Sequence, residues 1–305
     1  MTILKIAIAG GTGLIGKALS NSLSKKGHSV LILTRSDSRG PISGNNIRYV
    51  PWLNKGNQPE EELENLDALV NLAGSTINSR WTDKGKELIV NSRLNTVDEL
   101  ATIIYNLKVK PKVFINASAI GYYGTSEKQT YTEESPKPGT DFLADTVVKW
   151  ESAVKKIESM GLRTVFCRFG VILDVKEGAL PRMVLPYRFF IGGTIGNGQQ
   201  WLSWIHINDV VRGILFAIEN RQLTGPVNFT APDPVRMKDF GKTLSRVIHR
   251  PHWLPVPNLA LRLLLGEMSL LVLEGQKVLP SKLLNHGFSF QYPHLEAALE
   301  ELFNK

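Results

Sequence analysis

Apolar residues in the first two-thirds of the chain fall into two alternating patterns. Short apolar runs occur at Lys5–Ala9, Ser29–Thr34, Ile47–Val50, Asp67–Ala73, Lys112–Ser118 and Arg163–Phe169. Such runs predict buried strands, because a strand covered on both faces needs no polar alternation. Between them, apolar positions recur every three or four residues, the period of a helix. Leu14–Lys26 carries Leu14, Ala18, Leu19 and Leu23 on one stripe, and Trp81–Leu107 carries Ile89, Val97, Leu100 and Ile104. Leu143–Met160 is a third helical segment, and Pro59–Asn65 is an acidic surface helix or loop. Alternating strands and helices predict an α/β doubly wound parallel sheet of about six or seven strands, with helices on both faces.

The pattern changes after the sixth run. Gly178–Ile191 is helical and apolar, Gly192–Gln200 is a glycine-rich turn or hairpin, and Leu202–Ile207 is extended. Asn208-Asp209 is read as the cap of a helix over Val210–Glu219, and Pro226–Thr230 as another strand. Leu254–Leu273, the most apolar stretch, reads as a buried helix pair, with an interfacial amphipathic helix as the alternative. Residues 1–175 and 201–230 are thus assigned to the sheet domain. Residues 176–200 and 231–305 are assigned to a small, mostly helical cap over its carboxyl edge, forming a substrate cleft.

The first strand runs into Gly10-Gly11-Thr12-Gly13-Leu14-Ile15-Gly16 and then directly into a helix. A strand, spaced glycines and a helix start make a Rossmann-type dinucleotide site. A turn without Cβ atoms admits a pyrophosphate, and the helix N-terminus offers free N–H groups and a positive dipole. Gly10, Thr12, Gly13, Leu14, Ile15 and Gly16 are therefore assigned to the cofactor. So is the end of the fourth strand, Leu72, Ala73 and Gly74, where small residues reach the sheet's carboxyl edge. Thr34 and Arg35 close the second strand. A carboxylate there holds the ribose hydroxyls of NAD, whereas Arg35 suits the 2′-phosphate of NADP, with Ser36 and Arg39 in support. Asp37 keeps an NAD reading open. Arg93, in the polar cluster Asn91-Ser92-Arg93, is a surface residue or reaches the cofactor phosphates.

Bulk properties narrow the partners. The 305 residues are 43% hydrophobic and 21% charged, an ordinary globular balance. The net charge of +8 is scattered without an aromatic-basic stripe, so nucleic acid is not expected, and an anionic cofactor or substrate accounts for part of it. A single cysteine, Cys167, forms no internal disulfide, which reads as a cytoplasmic protein; a buried strand thiol is preferred to a nucleophile. No uninterrupted apolar run reaches the roughly 18 residues of a membrane span.

Candidate chemistry sits where the fifth strand opens into Ser118-Ala-Ile-Gly-Tyr122-Tyr123-Gly124, before a polar loop through Thr140. The chain resembles the extended short-chain dehydrogenase/reductases of the nucleotide-sugar epimerase/dehydratase type. The resemblance rests on the glycine turn, Asn71-Leu-Ala-Gly74, Ser118 to Gly124, Arg168-Phe-Gly170 and Trp204-Ile-His-Ile-Asn-Asp209. Gly196–Trp201, Asn228–Pro232, Leu265–Met268 and Leu273–Pro280 narrow it to the atypical group called epimerase family proteins. The resemblance implies NADP, a small-molecule substrate, a homodimer, Arg168 among the cofactor-site residues, and Ser118, Tyr122 and Tyr123 as catalytic candidates. The superfamily's acid/base is a Tyr-x-x-x-Lys pair, and none of the seven tyrosines here has a lysine four residues on. If Glu151 marks the acidic helix position, Leu143 and Val147 stand in the Tyr and Lys places. Two readings follow. In one, the chain is an NADP-dependent oxidoreductase or epimerase in which Ser118 holds the carbonyl and a nearby tyrosine replaces the missing acid, with His206 as a less favoured relay. In the other, it is a non-catalytic NADP-binding sensor or interaction protein.

Overall fold

Seven apolar segments form the central sheet of the computed structural model, which describes residues 2–35, 46–54, 56–78 and 80–304. In chain order we number them β1 (Lys5–Ala9), β2 (Ser29–Thr34), β3 (Ile47–Pro51), β4 (Ala68–Asn71), β5 (Val113–Ala119), β6 (Arg163–Phe169) and β7 (Gly225–Phe229). They lie side by side as β3-β2-β1-β4-β5-β6-β7, and every neighbouring pair is parallel. The chain leaves β1 in one direction and returns to its other side at β4. That reversal opens a crevice at the carboxyl ends of β1 and β4, where this topology seats nucleotides. The central strands are buried on both faces, as the unbroken apolar runs require: Ile6, Ile8, Val30, Ile32, Leu69, Val70, Phe114 and Ile115 are wholly enclosed.

Helices cover the sheet. Helix α1 (Leu14–Lys25) starts at the glycine turn, and α2 (Asp83–Asn106) packs on α3 (Phe142–Ala153). Polar side chains set the starts of the last two. Thr82 accepts from the Gly85 N–H, and Asp141 accepts from the Leu143 and Ala144 N–H groups at 2.8 and 3.1 Å.

A second core lies beside the sheet. Helices α4 (Leu180–Arg188), α6 (Met237–Val247) and α8 (Leu295–Phe303) enclose Trp204, Phe240 and Leu244, while α5 (Ile207–Glu219) belongs to the sheet layer. The second core also draws on Leu173 and Leu202, and the sheet's own core takes in Leu283 and Phe288 from the C-terminal segment. The two units therefore interleave along the chain.

Several sequence expectations change in the folded chain. The loop after Gly124 contains a strand, Ser126–Tyr131, which pairs with Gln276–Val278, about 150 residues away. His206, not Asn208-Asp209, caps α5: its Nδ1 accepts the Asn208 N–H at 3.1 Å, and the helix begins at Ile207. Asp209 is instead fully buried and receives the Gln291 and Tyr292 N–H groups, both at 2.8 Å. The expected buried helix pair is absent among the described residues. Helix α7 (Asn258–Leu265) has no buried residue and enters neither core, because α4, α6 and α8 already fill the second one.

The glycine turn generates a stability prediction. A Cβ on Gly16 would lie 2.3 Å from the Gly10 carbonyl oxygen and 2.5 Å from the Gly11 Cα, both backbone atoms. Gly16→Ala must therefore displace α1 from β1. It is expected to destabilise by about 1–3 kcal/mol, read as a lowered Tm in calorimetry. An unchanged Tm would show that the turn has slack.

Candidate functional site

The crevice is built by close backbone contact. Gly10 has φ +78°, and a Cβ there would fall 2.7 Å from the Leu72 carbonyl carbon, so the end of β4 runs directly against the turn. That contact places Leu72, Ala73 and Gly74 beside Gly10. Gly13 is the N-cap of α1, in extended backbone, with no side chain capping the helix and no acidic residue in its first turn. A Cβ at Gly13 would meet only the Gly10 carbonyl oxygen, at 3.5 Å. Among the described residues no acceptor side chain meets the amides at the start of α1, and no acidic side chain in the first turn opposes the helix dipole. Thr12 and Gly13 are exposed, and Leu14 and Ile15 half-buried, at the same mouth. Gly178, in the loop before α4, lies over it: a Cβ there would sit 3.2 Å from a Leu14 methyl, and Lys17 pairs with Glu177 at 2.7 Å.

Thr34 ends β2 half-buried, and Arg35 follows in solvent with its carbonyl accepting from Asn54 Nδ2 at 2.9 Å. Ser36, Asp37 and Arg39 lie outside the described residues. Arg93 reaches the other side of the mouth. Its guanidinium donates to the Ser75 and Ile89 carbonyls at 3.1 and 2.8 Å, and a Cβ on Gly74 would lie 3.2 Å from its Cζ. Burial holds the Arg93 pKa down to about 10. Beneath the mouth, Asn71 Nδ2 donates to Asn116 Oδ1 at 2.8 Å while Asn71 Oδ1 accepts the Ala73 N–H at 3.2 Å. Both asparagines are fully buried and fix the strand ends. In the sequence Asn71 opens the Asn71-Leu-Ala-Gly74 motif, whereas Asn116 is only a polar break in an apolar run.

The catalytic candidates separate once their hydrogen bonds are followed. Arg168 stands opposite Ser118 across the β5–β6 pair. Its Nε and Nη2 donate to the two Glu151 oxygens at 2.8 and 2.7 Å, and its Nη1 donates to the Tyr123 hydroxyl at 3.0 Å. Burial alone lowers the Arg168 pKa, but the Glu151 carboxylate outweighs it and holds the guanidinium above its ordinary value. Ser118 Oγ donates its proton to Glu151 Oε1 at 2.6 Å. Tyr123 donates its own to Asn228 Oδ1 at 2.8 Å, and burial pushes its phenol up. Asn228 in turn donates through its N–H to Glu133 Oε1 at 2.9 Å and through Nδ2 to the Leu279 carbonyl at 3.0 Å. The structure thus brings Ser118, Tyr123 and Arg168 together with three residues that sequence reading gave no site role: Glu151, noted only as a register mark, Asn228 and Glu133. Tyr122 differs. Its ring lies on the Arg168 guanidinium, 3.5 Å from centroid to Cζ, and it is half-buried, lining a cavity of about 210 Å³ with Pro138, Val148 and Glu151. Its hydroxyl has no partner among the described residues.

His206 stands outside this group. Its Nε2 faces Glu301 at 3.0 Å and its ring lies on Tyr292, in the packing of α5 against the C-terminal segment. Cys167 is buried in β6, where desolvation pushes its thiol far above the ordinary range.

The model of the NAD dependent epimerase/dehydratase family matches residues 6–229. The chain belongs to that family. Residues 256–302 match a domain of unknown function. Epimerase family protein YfhF of Bacillus subtilis is 51% identical over 299 residues, covering 98% of both chains. Among solved structures, human epimerase family protein SDR39U1 with NADPH is 32% identical at a TM-score of 0.86, covering 99% of each chain. A nucleoside-diphosphate sugar epimerase from Corynebacterium glutamicum, also 32% identical, has a TM-score of 0.79; the match spans this whole chain and 59% of that one.

The hydrogen-bond map orders three substitutions by stability. Glu151→Gln removes the anion facing a buried guanidinium and is expected to destabilise by about 3–5 kcal/mol. Tyr123→Phe strands Asn228 Oδ1 and one Arg168 donor, for about 1–3 kcal/mol. Tyr122→Phe removes an unpartnered hydroxyl and is expected to stay within about 0.5 kcal/mol. Denaturant titration of the three variants reads the order; a Tyr122 variant as unstable as the Tyr123 variant would contradict the map.

Proposed function

We propose that the chain binds NADP(H) at the glycine turn and acts as an oxidoreductase or epimerase on a small carbonyl or alcohol. The observation that carries this reading is the uncapped, acid-free start of α1 set against Leu72–Gly74 and open at Gly13, a cradle shaped for a pyrophosphate. NADPH in the human relative of the same family supports the choice of nucleotide. Within the cradle, Gly10 to Gly16 would receive the pyrophosphate, Thr34 and Arg35 the adenosine ribose and its 2′-phosphate, and Leu72–Gly74 the cofactor's approach to the sheet edge. When bound, the nicotinamide supplies or removes hydride at the substrate carbon. The protein's part is then to hold the substrate and move one proton at its oxygen.

For that proton, Ser118 and Tyr123 are poorly placed, since both hydroxyl protons are given to Glu151 and Asn228. Arg168 is likewise engaged on three donors. We assign these three to positioning: they fix the floor of the cleft. Tyr122 keeps a free hydroxyl on a ring clamped by Arg168, and is the group we assign to the proton. The same observation favours a second reading, an NADP(H)-binding sensor without chemistry, in which Tyr122 is only a packing residue.

Two measurements test these assignments. Tyr122→Phe is expected to lower NADPH oxidation by carbonyl substrates about 10²–10⁴-fold while leaving nucleotide affinity unchanged, as for a group acting in the transition state. Unchanged turnover would remove Tyr122 from the chemistry. A wild type that binds NADPH and oxidises it with no carbonyl would favour the sensor. Arg35→Ala is expected to weaken NADP(H) by roughly 10- to 150-fold, the equivalent of a charge-assisted contact, and to leave NAD(H) nearly unchanged. Equal losses for both nucleotides in calorimetric titration would show that Arg35 does not read the phosphate.

A further inference from the structure

Two segments of the second unit leave large apolar side chains in solvent. Phe189, Phe190 and Ile191 follow α4, and Trp253 and Leu254 follow α6; all five are exposed. The segments are zipped together. The Trp253 indole donates to the Phe190 carbonyl at 2.8 Å, the Trp253 and Leu254 N–H groups both donate to the Gly192 carbonyl, and Val256 exchanges bonds with Thr194 and Gly196. The chain then passes straight into α7, where Leu259, Leu263 and Leu264 are 69%, 80% and 74% exposed. These are aromatic and leucine side chains held out on a fixed backbone, not single surface leucines.

The charge around them is mainly positive, and the acids that border the two segments are paired, Glu177 with Lys17 and Glu267 with Lys86. Residues 178–200 and 246–266 contain five arginines, Arg182, Arg188, Arg246, Arg250 and Arg262, and no aspartate or glutamate. Arg246 pairs with Glu296 at 3.0 Å. The other four make no ion pair among the described residues, and Arg250 lies over the Phe190 ring at 4.9 Å. Beside Trp253, an open cleft is lined by Lys242, Arg246 and His252 with one acid, Asp239. An apolar surface of Trp, Phe and Leu, rimmed by arginine, with the neighbouring Glu267 and Glu296 paired to Lys86 and Arg246, has the chemistry that enters the headgroup layer of an anionic bilayer. No helix of the described residues is long and apolar enough to cross a membrane, so such a surface lies on the bilayer.

We propose that the Phe189–Ile191, Trp253–Leu254 and α7 surface docks on anionic lipid bilayers. The leucines and aromatics enter the interface and the four free arginines face the lipid phosphates. This assignment does not depend on the reaction proposed above. A protein partner or a second copy of the chain would also cover apolar side chains, but neither demands a surplus of arginines without ion pairs.

Sedimentation with vesicles tests it, using the full chain and vesicles of phosphatidylcholine alone or of equimolar phosphatidylcholine and phosphatidylglycerol. The wild type is expected to pellet with the anionic vesicles, weakly with the neutral ones, and less as salt rises. Leu263→Glu is expected to lower partitioning at least about tenfold, the equivalent of losing one buried leucine. Arg250→Glu is expected to lower binding to the anionic vesicles by about fivefold or more and to leave the neutral ones unaffected. Both side chains are exposed, and an unchanged Tm and NADPH affinity confirm that each variant is folded; should one fail to fold, the other carries the test. Wild type that stays in the supernatant with both vesicles overturns the proposal. So does pelleting that neither variant alters, or a chain that self-associates through this surface in solution and ignores vesicles.

Discussion

A guanidinium buried at the carboxyl edge of a parallel sheet must find a counter-charge and acceptors, and much of this site's shape follows from how Arg168 does so. Glu151 comes from α3, and its carboxylate takes two Arg168 donors and the Ser118 proton. Tyr123 takes a third Arg168 donor and passes its own proton to Asn228 on β7. Tyr122 covers the flat face of the cation. One charge therefore joins β5, β6, β7, α3 and the turn after β5. Through Asn228 it also reaches the C-terminal segment at Leu279. In such a buried, hydrogen-bonded pair, the desolvation of each ion is offset only while its partners stay in place, so the network favours one arrangement.

That arrangement also sets what α3 contributes. If Glu151 marks the acidic helix position of the superfamily pattern, its tyrosine and lysine places on α3 hold Leu143, against Gly121, and the buried Val147. They are packing positions here. The helix still delivers Glu151 inward, so it keeps its structural duty without an acid–base pair. The cofactor side has no such substitution. At the glycine turn the constraint is steric, since backbone approaches backbone at Gly10 and Gly16 more closely than any Cβ permits. The glycine turn is thus held by sterics that do not depend on what α3 carries.

The C-terminal segment, matched over residues 256–302 to a domain of unknown function, is not a separate lobe. Gln276–Val278 pairs with Ser126–Tyr131, Leu283 and Phe288 enter the sheet's core, and α8 closes the second core. Helix α7 and the short helix Leu270–Leu273 are exceptions, because neither has a buried residue, and α7 holds Leu259, Leu263 and Leu264 in solvent.

The sequence by itself determined the sheet, the glycine turn and the burial of Cys167. Each rests on local patterning: unbroken apolar runs, glycines where no Cβ fits, and a helical period immediately after. It also showed, by simple spacing, that no Tyr-x-x-x-Lys pair exists. Only the tertiary structure decided what the polar residues do. Ser118, Glu151, Arg168 and Asn228 are tens of residues apart, and nothing local distinguishes a hydroxyl that gives its proton to a buried carboxylate from one left free. The same holds for His206, whose capping bond needs the turn into α5, and for Ser126–Tyr131, whose polar sequence reads as a loop until Gln276–Val278 lies beside it. Helix α7 shows the limit from the other side. Its leucines read as core because apolar periodicity reports a face to be covered, whereas which element covers it is settled by the volume the other helices leave.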